Sequence, residues 1–228
     1  MEIREARLAT HALAAQQAFY TQRLGFPLVN VTDAAFTVQT GASRLTFAQA
    51  TEGEPAYHFA FNITESKAPQ AQRWLQSRVE LLPDANRATL IPSSPAWNAD
   101  RLYFRDPAGN IVEFIARHHL AQEQTSDTDD FAPKDVRAIS EIGLPTLDVY
   151  ALVGALGAAL DLKVWQEPSE TFTTIGDEHG LGIVSALGRH WFPTEQPSAI
   201  APIEVTLSGA SLTYYAPTLP YTFIRLPD

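Results

Sequence analysis

The chain has 228 residues, 45% of them hydrophobic and 18% charged, and carries a formal net charge of −10. That composition suits one large or two small globular domains with real cores and excludes a disordered chain. It offers no basic stripe for nucleic acid, no apolar run near the roughly 20 residues of a membrane span, and no cysteine for disulfides or thiolate sites. The opening Met1-Glu-Ile-Arg-Glu-Ala6 lacks the apolar core of a signal peptide, so a cytoplasmic protein is expected, as a monomer or homodimer.

In chain order, Ile3–Thr10 reads as a strand and Leu13–Leu24 as a helix. Leu13, Gln17, Tyr20 and Leu24 recur at three- and four-residue spacing, and Gly25 stops the run. Phe26–Val31, Ala35–Gln39 and Arg44–Ala48 read as strands, which gives the order β-α-β-β-β. After a polar link at 52–55, the order recurs. Tyr57–Ile63 is a strand, Ala68–Val79 a helix, and three strands follow around Glu80–Leu82, Leu102–Arg105 and Ile111–Ala116. The Pro- and Ser-rich stretch Pro92–Asn98 reads as a loop over a pocket. Residues 118–134 are polar and acidic and read as a linker.

Beyond that linker the first segment is repeated. Ile3-Arg-Glu-Ala-Arg-Leu-Ala-Thr10 matches Ile139-Ser-Glu-Ile-Gly-Leu-Pro-Thr146. At the same offset Leu24 meets Leu160, Phe36 meets Phe172 and Leu45 meets Leu181. A single offset held that far signals an internal repeat. It predicts a helix over Val149–Leu160 and sets Glu141 where Glu5 stands. Pro202–Leu226 gives three strands and no helix, as a unit cut short. The expected organisation is therefore 1–117 as two paired units (1–52 and 56–117), 118–134 as linker, and 135–228 as a third unit plus a truncated fourth.

Alternation then places side chains. In Ile111–Ala116, Val112 and Phe114 share one face, and Ile111, Glu113 and Ile115 the other. A carboxylate between two isoleucines either has a partner, such as a cation, a metal or a set of donors, or sits at an edge and reaches water. His58 lies opposite Tyr57, Phe59, Phe61 and Ile63, and Glu5 opposite Ala6 and Leu8. Asp106-Pro107-Ala108-Gly109 has the chemistry of a tight turn.

Ala18-Phe19-Tyr20, Leu24-Gly25-Phe26, Tyr57-His58-Phe59-Ala60-Phe61 and Tyr103-Phe-Arg-Asp-Pro-Ala-Gly-Asn-Ile-Val-Glu113 resemble the vicinal oxygen chelate superfamily. That superfamily includes glyoxalase I, bleomycin-resistance proteins and extradiol dioxygenases. The resemblance implies an α+β fold of tandem βαβββ modules, whose mixed, curled sheets form a cup around a divalent metal (Mn, Fe, Ni, Zn or Mg). Carried over by position, the implied metal ligands are Glu5, His58 and Glu113, with Glu113 also the implied catalytic residue. Arg7, Trp97, Asn98 and Tyr103 are the candidate substrate contacts, with the alternatives that Arg7 pairs with Glu5 and that Trp97–Asn98 is a surface loop with one anchoring aromatic. The implied function is a metal-dependent lyase, isomerase or ring-cleaving dioxygenase acting on an oxygen-rich small molecule. The alternative is a metal-free ligand-binding protein of bleomycin-resistance type. Thr46 stands where glyoxalase-like enzymes carry a further carboxylate, and no equivalent of Glu113 is evident after residue 139.

Overall fold

The computed structural model describes residues 1–120 and 130–227. The first unit runs β1 (Ile3–Thr10), α1 (Leu13–Ala18, continued by a π turn over Phe19–Arg23), β2 (Leu28–Thr32), β3 (Ala35–Thr40) and β4 (Ser43–Gln49). The second runs β5 (His58–Ile63), α2 (Ala68–Gln76), β6 (Leu81–Leu82), β7 (Ala99–Arg105) and β8 (Ile111–Arg117). The third comprises β9 (Val136–Thr146), α3 (Val149–Leu160), β10 (Phe172–Asp177) and β11 (Gly180–Ala186). A last group has three strands and no helix: β12 (Ile203–Ser208), β13 (Leu212–Tyr215) and β14 (Tyr221–Leu226).

The helix predicted from the repeat spans the residues expected of it. Asp148 caps it, its side chain accepting from the Ala151 amide at 2.9 Å. The strand expected after α3 is reduced to a single bridge, Val164 to Ile175. Of the expected linker 118–134, residues 121–129 lie outside the described residues. Its end is ordered: Pro133–Asp135 forms a 3-10 turn, and Asp135 is buried against Lys67 at 3.2 Å.

Each unit repeats one pairing rule, in which its first strand lies parallel to its last. This holds for β1 with β4, β5 with β8, β9 with β11 and β12 with β14. Between units the pairing differs from the expected one. β5 runs antiparallel to β9, and β1 antiparallel to β12. The second unit therefore partners the third, and the first partners the last group. A single pair, Ile3 with Ile139, ties β1 to β9 and makes the sheet continuous. The strand path is open, from β13 at one end to β6 at the other. The curled cup expected from the resemblance is thus an open mixed sheet.

Alternation decides which face is packed. Phe59, Phe61, Val112, Phe114, Ile142 and Leu144 enter the main core with the helices. The other face of the same strands carries Ile111, Tyr103, Leu181, Ile183 and Trp191, together with Ala60, Ala99 and Ile115. His58, Glu113 and Glu141 are on this second face. One turn locks the halves together. Asp106 accepts from Gln16 Nε2 at 2.7 Å and Tyr20 Oη at 2.9 Å on the first unit. It also accepts from the Ala108 and Asn110 amides and from Asn110 Nδ2. Gly109 completes the turn at φ +80°, a conformation that favours glycine.

Candidate metal centre and its pocket

Three strands bring one imidazole and two carboxylates to one point. His58 opens β5, Glu113 sits mid-way along β8, and Glu141 lies on β9. Register explains the meeting, because Ala60 pairs with both Glu113 and Glu141. The imidazole therefore lies between two carboxylates that flank its own strand. Their ligand atoms all fall within 4.8 Å of one another, and no other such group exists among the described residues. His58 Nε2 is 3.7 Å from Glu113 Oε2 and 3.7 Å from Glu141 Oε2. His58 Nδ1 lies 3.2 Å from the Ile111 carbonyl. That contact suits the tautomer with hydrogen on Nδ1, which leaves Nε2 to face the carboxylates.

All three groups are buried, at 6%, 2% and 2% exposure for His58, Glu113 and Glu141. Burial disfavours their charged forms, so each needs a partner. Burial would lower the His58 pKa, but the contact with Glu141 and the charges of both carboxylates outweigh it and hold the imidazole above its usual range. Burial, then the Glu141 charge, pushes Glu113 up to about 7, against the pull of His58 and Arg101. Burial acts the same way on Glu141, but His58 and Arg117 overcome it and hold Glu141 below the usual carboxylate range. Arg117 Nη2 pairs with Glu141 Oε1, and Arg117 Nε donates to Ser140 Oγ at 3.2 Å.

The triad forms the floor of a cavity of about 240 Å³. Tyr103, paired with Glu113 across the β7–β8 hairpin, shares a hydrogen bond with it. Trp97, Phe172, Trp191 and Phe192 supply aromatic walls, and Arg101 and Arg189 the cationic ones. Trp191 lies against His58 with ring centroids 5.0 Å apart. Gly143 makes room for it: a Cβ there would stand 2.9 Å from Trp191 Cη2. Ile183 also lines the cavity. By register it is to Gly143 what Glu113 is to His58 plus two, so the third unit offers a methyl where the second offers a carboxylate.

Of the residues singled out from sequence, His58, Glu113, Trp97 and Tyr103 line this cavity. Glu5 and Arg7 do not, and the strand pairing is the reason. Glu5 faces Arg44 on β4 and Thr206 on β12, and accepts a hydrogen bond from Thr46 Oγ1 at 2.7 Å. Arg7 is exposed on the same strand, opposite Glu204 and Thr46. Asn98 turns the loop at φ +42° and is not a wall of the cavity; its carbonyl accepts from the His118 amide.

Residues 3–114 match the sequence model of the Glyoxalase/Bleomycin resistance protein/Dioxygenase superfamily. Over this span, just under half of the chain, the sequence is similar to that superfamily. Solved structures extend the likeness to the whole fold. A "putative dioxygenase" from Bacillus subtilis subsp. subtilis str. 168 is 13% identical, with a TM-score of 0.61, covering 100% of this chain and 86% of that one. Glyoxalase I from Zea mays is 12% identical, with a TM-score of 0.58, covering 99% and 92%. At those identities the likeness is one of fold. No protein of curated function matches the chain at a significant level.

Within the superfamily fold, the residue that sequence reasoning left out of the site is Glu141. The signal was present, since the repeat sets Glu141 on Glu5. The order of unit pairing decides which of the two meets His58, and local periodicity carries no information on it. Arg101, Arg189, Phe172 and Trp191 were missed for a related reason, because β10 and the 187–202 loop reach the site only through the β5–β9 pairing.

Proposed function

We propose that this protein is a metal-dependent enzyme acting on a small, oxygen-bearing molecule, with His58, Glu113 and Glu141 as the metal ligands. The observation that carries the reading is the convergence of those three groups within 4.8 Å on the floor of a cavity. The donor set fits a divalent ion of the Mn, Fe, Ni, Zn or Mg kind. Metal bonds of about 2.0–2.2 Å need donors now 3.7 Å apart to close by only a few tenths of an ångström. The second sphere is also supplied, by the Ile111 carbonyl on His58, Arg117 on Glu141 and Tyr103 on Glu113. Without an ion, two buried carboxylates sit beside one imidazole, an arrangement a cation relieves.

Bound there, a divalent ion would supply Lewis-acid polarisation of substrate oxygens. The protein's own groups divide the remaining work. His58 and Arg117 together keep Glu141 ionised, and Arg117 fixes it, so Glu141 is the permanent anion of the set. Glu113, raised to about 7 in the metal-free protein, gives up its proton when it binds the ion, so metal uptake near neutrality is linked to proton release at this carboxylate. Tyr103 orients it, and the aromatic walls exclude water.

Elemental analysis of protein purified without a His tag tests the reading. About one divalent metal per chain, lost in His58→Ala and Glu141→Ala, is expected, as is turnover that EDTA abolishes and metal restores. A protein without metal, whose melting temperature does not move with Mn, Fe, Ni, Zn or Mg, would be a metal-free binding protein instead.

A further inference from the structure

The acidic character of the chain makes its cavity unusual. A protein of net charge −10 sets two arginines, Arg101 and Arg189, in the wall of one small pocket. A third, Arg117, stands behind Glu141 and is consumed by it. Neither wall arginine has an anionic partner within ion-pair distance among the described residues. Arg101 Nε is buried and has no hydrogen-bond partner. Its guanidinium lies 5.8 Å from the Phe192 ring centroid. The Arg189 guanidinium likewise lies 4.5 Å from the centroid of Phe172. A buried N–H without an acceptor costs about 1–3 kcal/mol, which applies to Arg101 Nε, while Arg189 lies against one ring face at the exposed rim of the pocket.

We infer that the ligand of this pocket is a small planar anion, its acidic group held by Arg101 and Arg189 and its flat body packed among the aromatic walls. This names the substrate class for the site proposed above and rests on that cavity being the binding site. Three observations converge on it. Arg117 neutralises Glu141, so the wall leaves two guanidiniums against the single carboxylate of Glu113, a surplus of positive charge before any metal is added. The guanidinium fork matches a carboxylate bidentately and has no such fit to a neutral amide or hydroxyl. The volume, about 240 Å³, is below the roughly 300 Å³ at which drug-sized ligand sites begin. It suits a single ring with its acidic substituent rather than a peptide conjugate.

The test uses benzoate and benzamide, which share shape and differ in charge, titrated calorimetrically into the EDTA-treated full chain. Metal-free protein is used so that the arginines, and not an ion, are the cations on offer. Benzoate is expected to bind at least tenfold more tightly than benzamide. Arg189→Met, an exposed position, and Arg101→Met should each weaken benzoate at least tenfold and leave benzamide unchanged, while Arg101→Lys restores part of the loss. Equal affinity for the two probes, no binding of benzoate, or benzoate binding indifferent to Arg189→Met would overturn the inference. Metal content of the Arg189→Met protein, measured separately, reports on the metal site alone. In the unsubstituted protein, normal metal with no benzoate binding defeats the anion subsite only, whereas benzoate binding without metal uptake defeats the metal reading only.

Discussion

Glu141 and His58 come from different repeat units, yet Glu141 Oε2 lies 3.7 Å from His58 Nε2. The contact exists because β9 runs antiparallel to β5 with Glu141 opposite Ala60. Glu5 occupies the corresponding position of the first unit and is bonded instead to Thr46. Glu141→Ala is therefore expected to weaken metal binding by at least ~100-fold, since loss of outer-sphere partners alone costs 10–100-fold. Glu5→Ala should leave affinity unchanged. Calorimetric titration of both variants with Mn or Zn separates the two carboxylates, and metal loss in Glu5→Ala with retention in Glu141→Ala would refute the assignment.

The pH dependence of the metal-free protein follows from Glu113 and His58. Both have folded-state pKa values above their ordinary ones, with Glu113 going from 4.5 to about 7. A raised folded pKa contributes stability that is complete below the unfolded value and is lost as pH rises through the folded value. The melting temperature of metal-free protein should therefore fall between about pH 5 and pH 8. Glu141, whose pKa is lowered, acts in the opposite sense only below its ordinary value of 4.5. Glu113→Gln should flatten the decline. Added metal should reverse its sign, because ligands bind metal in their deprotonated forms. Thermal melts across that range, with and without metal, give the answer.

Arg117 is buried to 1% exposure and holds Glu141 and Ser140. Arg117→Met leaves Glu141 uncompensated, and breaking a buried pair in this way costs about 3–5 kcal/mol. Denaturant unfolding should show that loss in metal-free protein. Bound metal should recover part of it by neutralising the stranded carboxylate. A variant as stable as the parent without metal would mean that Arg117 is not the counter-charge of the site.

Much of this architecture was legible in the chain. The β8 alternation put Glu113 and Val112 on opposite faces, and the structure keeps them so. The match of Ile3–Thr10 to Ile139–Thr146 placed α3 to the residue. Strand faces and repeats are local properties, set by side-chain period and turn chemistry. Which unit pairs with which is set by long-range closure, and both β1 and β9 present similar first strands to β5. Thus Glu5 and Glu141 were interchangeable on sequence grounds. The unit-to-unit register, which no period of two or 3.6 encodes, separated them.

Gly143 carries the last test. Its position on β9 lets Trp191 pack beside His58, the two rings inclined at 36°. An added Cβ would meet Trp191 Cη2 at 2.9 Å, Trp191 Cζ2 at 3.0 Å and the His58 carbonyl at 3.0 Å. The backbone of β5 cannot retreat without breaking its pairing to β9, so the indole must move. Overpacking of this kind costs about 1–3 kcal/mol. Gly143→Ala should therefore lower stability by that amount and shift the tryptophan emission towards longer wavelength as Trp191, now 4% exposed, is pushed outward. Metal affinity should change less than in Glu141→Ala, because the ligands themselves remain. An unchanged emission spectrum with unchanged stability would show that Trp191 does not rest on Gly143, and the aromatic wall of the site would have to be redrawn.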